Sequence, residues 1–174
     1  MTSVILFGIA GGFINDEIAE ILAPYGITEV RNSYLNSNSD NPSFLLLECS
    51  ARIKAHADSG IIVMLGEAAG NSYIDIPDGF KGIVNSNDTT ALEILSKSDI
   101  KTVSCGMFGN ETVILTSFTD TSACISLQRR VTTLNGKTVE PFEYPIKLQK
   151  SYSEYAIMAA FSILLLSDNL PDKW

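Results

Sequence analysis

Residues 4–22 read VILFGIAGGFINDEIAEIL, and the order of residue types in this stretch decides the fold. Residues 3–7 (SVILF) form a short continuous apolar run, the pattern of a strand covered on both faces. Gly8, Gly11 and Gly12 break the run, and Asn15, Asp16 and Glu17 supply a polar helix start whose acids suit the positive end of a helix dipole. Ile14, Ile18, Ile21 and Leu22 recur at helical spacing until Pro24 and Gly26 stop the helix. Strand, glycine turn and helix in this order open an α/β unit.

Further apolar runs follow at 43–48 (SFLLLE), 60–65 (GIIVML), 82–85 (GIVN) and 101–105 (KTVSC), each expected as a buried strand. Val30 begins a weak extended stretch. Residues 32–42, rich in Asn and Ser, read as a loop, and 49–59 as an irregular or short helical connection. Pro77-Asp78-Gly79 signals a turn, and Asp88 or Thr89 caps a helix carrying Leu92, Ile94 and Leu95. From Thr112 the texture changes to β-branched alternation, giving antiparallel strands over 112–118, 124–134 and 137–148. Asn135-Gly136 is a type I′ hairpin signal between the last two. Residues 153–166 close the pattern as an apolar helix with Ala156, Ala159 and Ala160 for close packing. The expected fold class is α/β: a mostly parallel sheet flanked by helices, with an antiparallel β-extension in the C-terminal half. Without repeats or an evident linker, residues 1–174 are expected to form a single domain.

The balance of 20 acidic against 12 basic residues, a net charge of −8, argues against a broad grip on nucleic acid or anionic lipid. Cys49, Cys105 and Cys124 are an odd, widely spaced set that suits neither a disulfide framework nor structural zinc. The first basic residue is Arg31, so the start lacks the charged region of a secretory signal. The longest apolar stretch, 156–166, is about half of the ~20 residues a bilayer needs. The expectation is a reduced, cytoplasmic protein with no membrane insertion and no nucleic-acid partner. A protein partner or self-association into a homo-oligomer stays open.

The first strand-to-helix turn is where a helix amino terminus in such a sheet can face a phosphate, which makes Gly8, Gly11 and Gly12 candidate ligand-binding positions. The turn is not GxGxxG, and Gly12 and Phe13 stand where a Walker A loop carries Lys and Ser/Thr. Asp16 and Glu17 follow with no basic neighbour in sequence, which favours a turn that merely packs helix on strand. Glu48 closes its strand at the edge where α/β sheets bind ligands, and could hold Mg²⁺ or orient a nucleophile such as Cys49. Arg52 and Lys54 nearby suit instead a solvated strand-end acid. Asn85 and Asp88 offer fixed hydrogen-bonding groups for a base or ribose, or a plain helix cap. His56, the sole histidine, excludes Ser-His-Asp catalysis and multi-histidine metal sites and is expected at the surface. Tyr152 and Tyr155 read as packing or interface residues.

Taken in order, these segments resemble the central, ATP-binding domain of the Mur ligases and their folylpolyglutamate synthase relatives. VILFGIAGGFINDEIAEIL looks like a strand, P-loop and helix with the TGTNGKTT-type loop worn away. FLLLECSAR is similar to the family's strand ending in LExSS, so the resemblance makes Glu48 its Mg²⁺-binding glutamate. IIVMLGEAA falls where the family has a strand and a histidine-bearing segment, with Glu67 a further oxygen ligand by motif order. GIVNSNDTTALEIL is close to the VxNxDDP-and-helix stretch, placing Asn85 and Asp88 at nucleotide-contacting positions. The resemblance implies ATP and Mg²⁺. The departures imply that both are lost: Gly12 and Phe13 replace the P-loop lysine and threonine, Ala69 the metal-binding histidine, and Ser151-Tyr152 the HN pair before the last helix. The expected function is a non-catalytic binding or regulatory module, linked by resemblance to cell-wall precursor synthesis, with ATP-dependent ligation not expected. The alternatives are an enzyme with a crevice repurposed around Glu48 and Cys49, or a nucleoside- or nucleotide-binding sensor using Asn85 and Asp88.

Overall fold

The computed structural model describes residues 1–8, 12–66, 72–172 and 174. The strands are β1 (Thr2–Phe7), β2 (Ile27–Arg31), β3 (Tyr34–Ser37), β4 (Phe44–Cys49), β5 (Arg52–Lys54), β6 (Gly60–Met64) and β7 (Tyr73–Asp75). After them come β8 (Phe80–Asn85), β9 (Lys101–Gly106), β10 (Val113–Thr119), β11 (Ser122–Leu127), β12 (Val131–Thr132), β13 (Thr138–Val139) and β14 (Phe142–Lys147). Helices are α1 (Phe13–Leu22), α2 (Thr89–Ser96) and α3 (Glu154–Leu166). Ten strands form one sheet in the order β14-β11-β10-β9-β8-β6-β1-β4-β2-β3. The run from β2 to β10 is parallel throughout, while β3 at one end and β11 and β14 at the other pair antiparallel. The fold is therefore mixed α/β with a large, mostly parallel sheet, as the apolar runs predicted.

The five runs expected as buried strands are β1, β4, β6, β8 and β9. They read as continuous apolar sequence because the sheet is covered on both faces. One face carries Val4, Leu6, Ile61, Val63, Ile83 and Val103 against α1 and α3. The other carries Ile5, Phe7, Ile62, Met64 and Val84 against α2. Alternate residues along each strand thus enter different cores. Helix α3 is buried around its whole circumference, with Ser153 as its N-cap accepting from the Ala156 amide. The Tyr155 hydroxyl, 7% exposed, donates to the Met64 carbonyl at 2.6 Å, so a tyrosine read as packing also fastens α3 to the sheet.

The sequence reading fails where strands carry little apolar signal. Residues 32–42 are not only a loop: they contain β3, whose four residues YLNS are all exposed because it is an edge strand. The connection 49–59 is not helical but contains β5, paired in parallel with β7. Asn135-Gly136 does not join two long strands. It turns between the two-residue strands β12 and β13, while β11 and β14 pair directly, from Ser122↔Lys147 to Leu127↔Phe142. Nor is the turn type I′, which requires positive φ at both central residues. Gly136 lies at φ +82° while Asn135 has no positive φ, and the Gly136 amide donates to the Thr133 carbonyl at 3.1 Å. This is the geometry of a turn followed by a left-handed glycine.

The Tyr155–Met64 bond gives a direct check on the α3 joint. Tyr155→Phe is expected to lower unfolding free energy by about 1–2 kcal/mol, because a buried carbonyl loses its donor. Urea unfolding should show a lower midpoint with an unchanged slope.

Candidate functional site

The carboxyl edge of the parallel strands is the place where an open α/β sheet binds ligands. Several of the expected residues do meet there. Gly8 follows β1, and its amide donates to the Cys49 carbonyl at the end of β4 at 2.9 Å. A side chain on Gly8 would come within 2.9 Å of both the Gly66 carbonyl oxygen and the Leu65 Cβ, so close packing of two strand ends demands glycine. Gly12 is the N-cap of α1 with no side-chain cap, and Phe13 beside it is 73% exposed. Gly11, Glu67 and Ala69 lie outside the described residues.

Glu48 departs from its expected setting. Its side chain is 4% exposed rather than solvated, and its cation is neither Arg52 nor Lys54. The register Val30↔Leu47 between β2 and β4 carries Arg31 to the position beside Glu48, and their side chains share a face. Arg31 Nε lies 3.2 Å from Glu48 Oε1, and Asn15 Nδ2 donates to the same oxygen at 3.0 Å. Arg31 also pairs with Glu29 at 2.7 Å and with Asp16. Burial opposes the guanidinium charge, but Asp16, Glu29 and Glu48 together raise its pKa above the ordinary arginine value.

The acids after the glycine turn are likewise corrected. Asp16 is answered by Arg31, and Glu17, 4% exposed, accepts from the Ser153 amide at 3.0 and 3.1 Å and from the Ser153 hydroxyl. A carboxylate there faces the positive end of α3. Asn15 is 1% exposed, so the stretch read as a polar helix start holds two buried side chains that join elements. Asp16 and Glu17 are therefore not the uncompensated pair that the sequence suggested.

Cys49 cannot assist Glu48. Adjacent strand residues point to opposite faces: Glu48 faces α1, whereas Cys49 packs with Ile53 and Ile74 in the α2-side core. Its thiol donates to the Arg52 carbonyl at 3.1 Å. Asn85 and Asp88 follow β8 as expected, and both engage their own backbone. Asn85 Oδ1 accepts from the Asn87 amide at 3.0 Å, and Asp88 Oδ1 caps α2 by accepting from Ala91 at 2.9 Å. His56 is exposed.

One residue at this edge escaped the sequence reading. Glu111, between β9 and β10, is 6% exposed, and its Oε1 accepts from the Ser86 hydroxyl at 3.0 Å. Burial alone would raise its pKa, but its own amide, the Ser86 hydroxyl and the Asn110 and Phe108 amides outweigh that and hold it below the ordinary glutamate value. Only the VNSND run around Ser86 and the short turn before β10 hinted at such a contact, and neither names its partner.

The sequence matches no protein-family model and no curated protein. The fold does have solved counterparts. MurF from Acinetobacter baumannii superposes with a TM-score of 0.61 and 15% identity over 99% of this chain and 43% of that one. A UDP-N-acetylmuramate:L-alanyl-gamma-D-glutamyl-meso-diaminopimelate ligase from Neisseria meningitides gives 0.56 and 11% over 94% of this chain and 60% of its own. A UDP-N-acetylmuramoyl-L-alanyl-D-glutamate–2,6-diaminopimelate ligase gives 0.50 and 10% over 97% and 43%. The chain thus spans less than two thirds of each of these ligases, and at such identities the likeness is one of fold. Among the described residues no helix is long and apolar enough to cross a membrane.

Two measurements probe the buried acids. Glu48→Ala is expected to cost about 1.5–3 kcal/mol, as charge-assisted contacts to Arg31 and Asn15 disappear, and denaturant melts read this directly. For Glu111 the lowered pKa fixes the sign: its stabilisation is complete above the ordinary value of 4.5 and is lost as pH falls through the folded value. Glu111→Gln should therefore show a flatter decline of stability than the native protein as pH is lowered from 5 to 3.

Proposed function

We propose that the protein is a non-catalytic binding or regulatory module on a Mur-ligase-type fold, working beside cell-wall precursor synthesis rather than carrying out ATP-dependent ligation. The observation that supports this reading is the Arg31 guanidinium on Glu48. Mg²⁺ demands near-octahedral oxygen ligation at about 2.0–2.1 Å. Glu48 Oε1 already meets a guanidinium and an amide donor, so a dication would have to approach against a fixed positive charge. Gly12 and Phe13 offer neither the ammonium that reaches terminal phosphates nor the hydroxyl that carries the metal. Among the described residues, this donor set does not fit a Mg²⁺–nucleotide pair. A Glu48–Cys49 enzyme is disfavoured because the two side chains lie on opposite faces of the sheet.

The loss of two charge-assisted contacts, at about 1.5–3 kcal/mol each, moves ATP by roughly two to four decades in affinity. Calorimetry on the purified chain is expected to show no saturable ATP–Mg²⁺ binding below about 1 mM and no turnover. Mn²⁺ should not bind the native chain in that range, whereas Arg31→Ala, which uncovers the Glu48 and Glu29 carboxylates, should gain affinity. Low-micromolar ATP binding, or turnover surviving repurification, overturns the proposal. Adenosine binding abolished by Asn85→Ala would replace it with a nucleoside sensor.

A further inference from the structure

The opposite edge of the sheet carries a second charged feature. Lys81 and Lys101 are direct register partners near the amino ends of β8 and β9. Neighbouring strands lie about 4.8 Å apart, so the two lysines stand side by side on one face, an arrangement that is destabilising unless something answers it. Both line a hollow of about 280 Å³ together with Arg129, Arg130 and Thr132. Four of the chain's twelve basic residues thus converge on one place in a protein of net charge −8. Glu140 pairs with Arg130 at 2.9 Å, but among the described residues no ion pair includes Lys81, Lys101 or Arg129. Arg129 donates one terminal guanidinium nitrogen to the Asn110 carbonyl at 2.9 Å, which orients the head group without neutralising it.

The charge is costly where it stands. Lys81 is half-buried, and its pKa is held below the ordinary lysine value first by burial and then by the charge of Lys101. Each lysine would be more easily accommodated if the other were absent. An internal acid would have been the simple remedy in a chain with an acidic surplus, and among the described residues none lies within ion-pair distance of either lysine.

We propose that this hollow is a binding site for a small multivalent phosphoryl anion. Two neighbouring lysines supply point charges suited to a phosphate bearing more than one negative charge, the guanidinium N–H groups of Arg129 not used on Asn110 add further donors, and the Thr132 hydroxyl adds a neutral one. The site lies at the amino edge of the sheet, away from Gly8, Glu48, Asn85 and Asp88, and is independent of the function proposed for the carboxyl edge.

The test uses inorganic pyrophosphate as the probe, titrated by calorimetry into the full chain at low ionic strength, with citrate as a carboxylate control. Saturable submillimolar binding is expected, weakening with added salt, with Lys81→Gln/Lys101→Gln reducing affinity at least tenfold. Lys97→Gln, which removes an equal charge at an exposed pair on α2, should leave it unchanged. Lys81→Gln alone should raise the melting temperature without ligand, because it relieves the repulsion, and pyrophosphate should no longer stabilise the double variant. Absence of saturable binding, or binding unaffected by the double substitution, overturns the site. Equal affinity for citrate overturns its assignment to phosphoryl groups.

Discussion

One guanidinium among three carboxylates, Arg31 with Asp16, Glu29 and Glu48, holds the first helix and the β2–β4 pair in a single arrangement. The contacts are not equal. Asp16 is 62% exposed, and a pair of that kind contributes at most about 1 kcal/mol. The Glu48 side chain is 4% exposed, and a buried carboxylate left without its cation is a large penalty. The Glu48 pair therefore favours the observed register: if β2 slipped by one residue against β4, Arg31 would turn to the other face and Glu48 would lose its guanidinium partner. Asn15 reinforces the same choice from α1, because its amide reaches Glu48 only when the helix lies over that edge.

Much of the fold is legible because a parallel sheet covered on both sides has no polar face to break its hydrophobic runs. The five central strands announce themselves for that reason. Strand β3 does not, since its YLNS is exposed along its whole length and its place comes only from pairing with β2. Strands β5 and β7 are too short to show a period. The turn at Asn135-Gly136 was visible as a turn but not as a side excursion, because local chemistry marks where a chain reverses and not which strands the sheet finally pairs.

The candidate site shows the same division. Glu48, Asn85 and Asp88 were found from their position after buried strands, which is a local property. Their partners were not, since Arg31 reaches Glu48 through strand register, and Glu17 reaches Ser153 across the helix–helix contact of α1 and α3. Sequence neighbours misled for this reason: Arg52 and Lys54 are close along the chain, but β4 ends before them and they lie on β5, which pairs with β7 outside the ten-stranded sheet. Cys49 misled for a related one, because adjacency in a strand separates side chains rather than joining them.

A glycine turn between a first strand and a first helix invites a phosphate reading, yet several of the described residues beside this one have structural occupations of their own. Gly8 is required by the closeness of the β6 strand end, whatever does or does not bind nearby. Gly12 sits at φ −72° and ψ 149°, ordinary extended backbone open to most residues, so its conformation asks for no glycine. Asn15, Asp16 and Glu17, which in sequence look like a solvated first turn, connect α1 to β4, β2 and α3 respectively. The first turn of α1 has thus become a joint between secondary-structure elements. Buried, charge-assisted contacts of this kind stabilise the packing of α1 whether or not an anion is held at the turn before it.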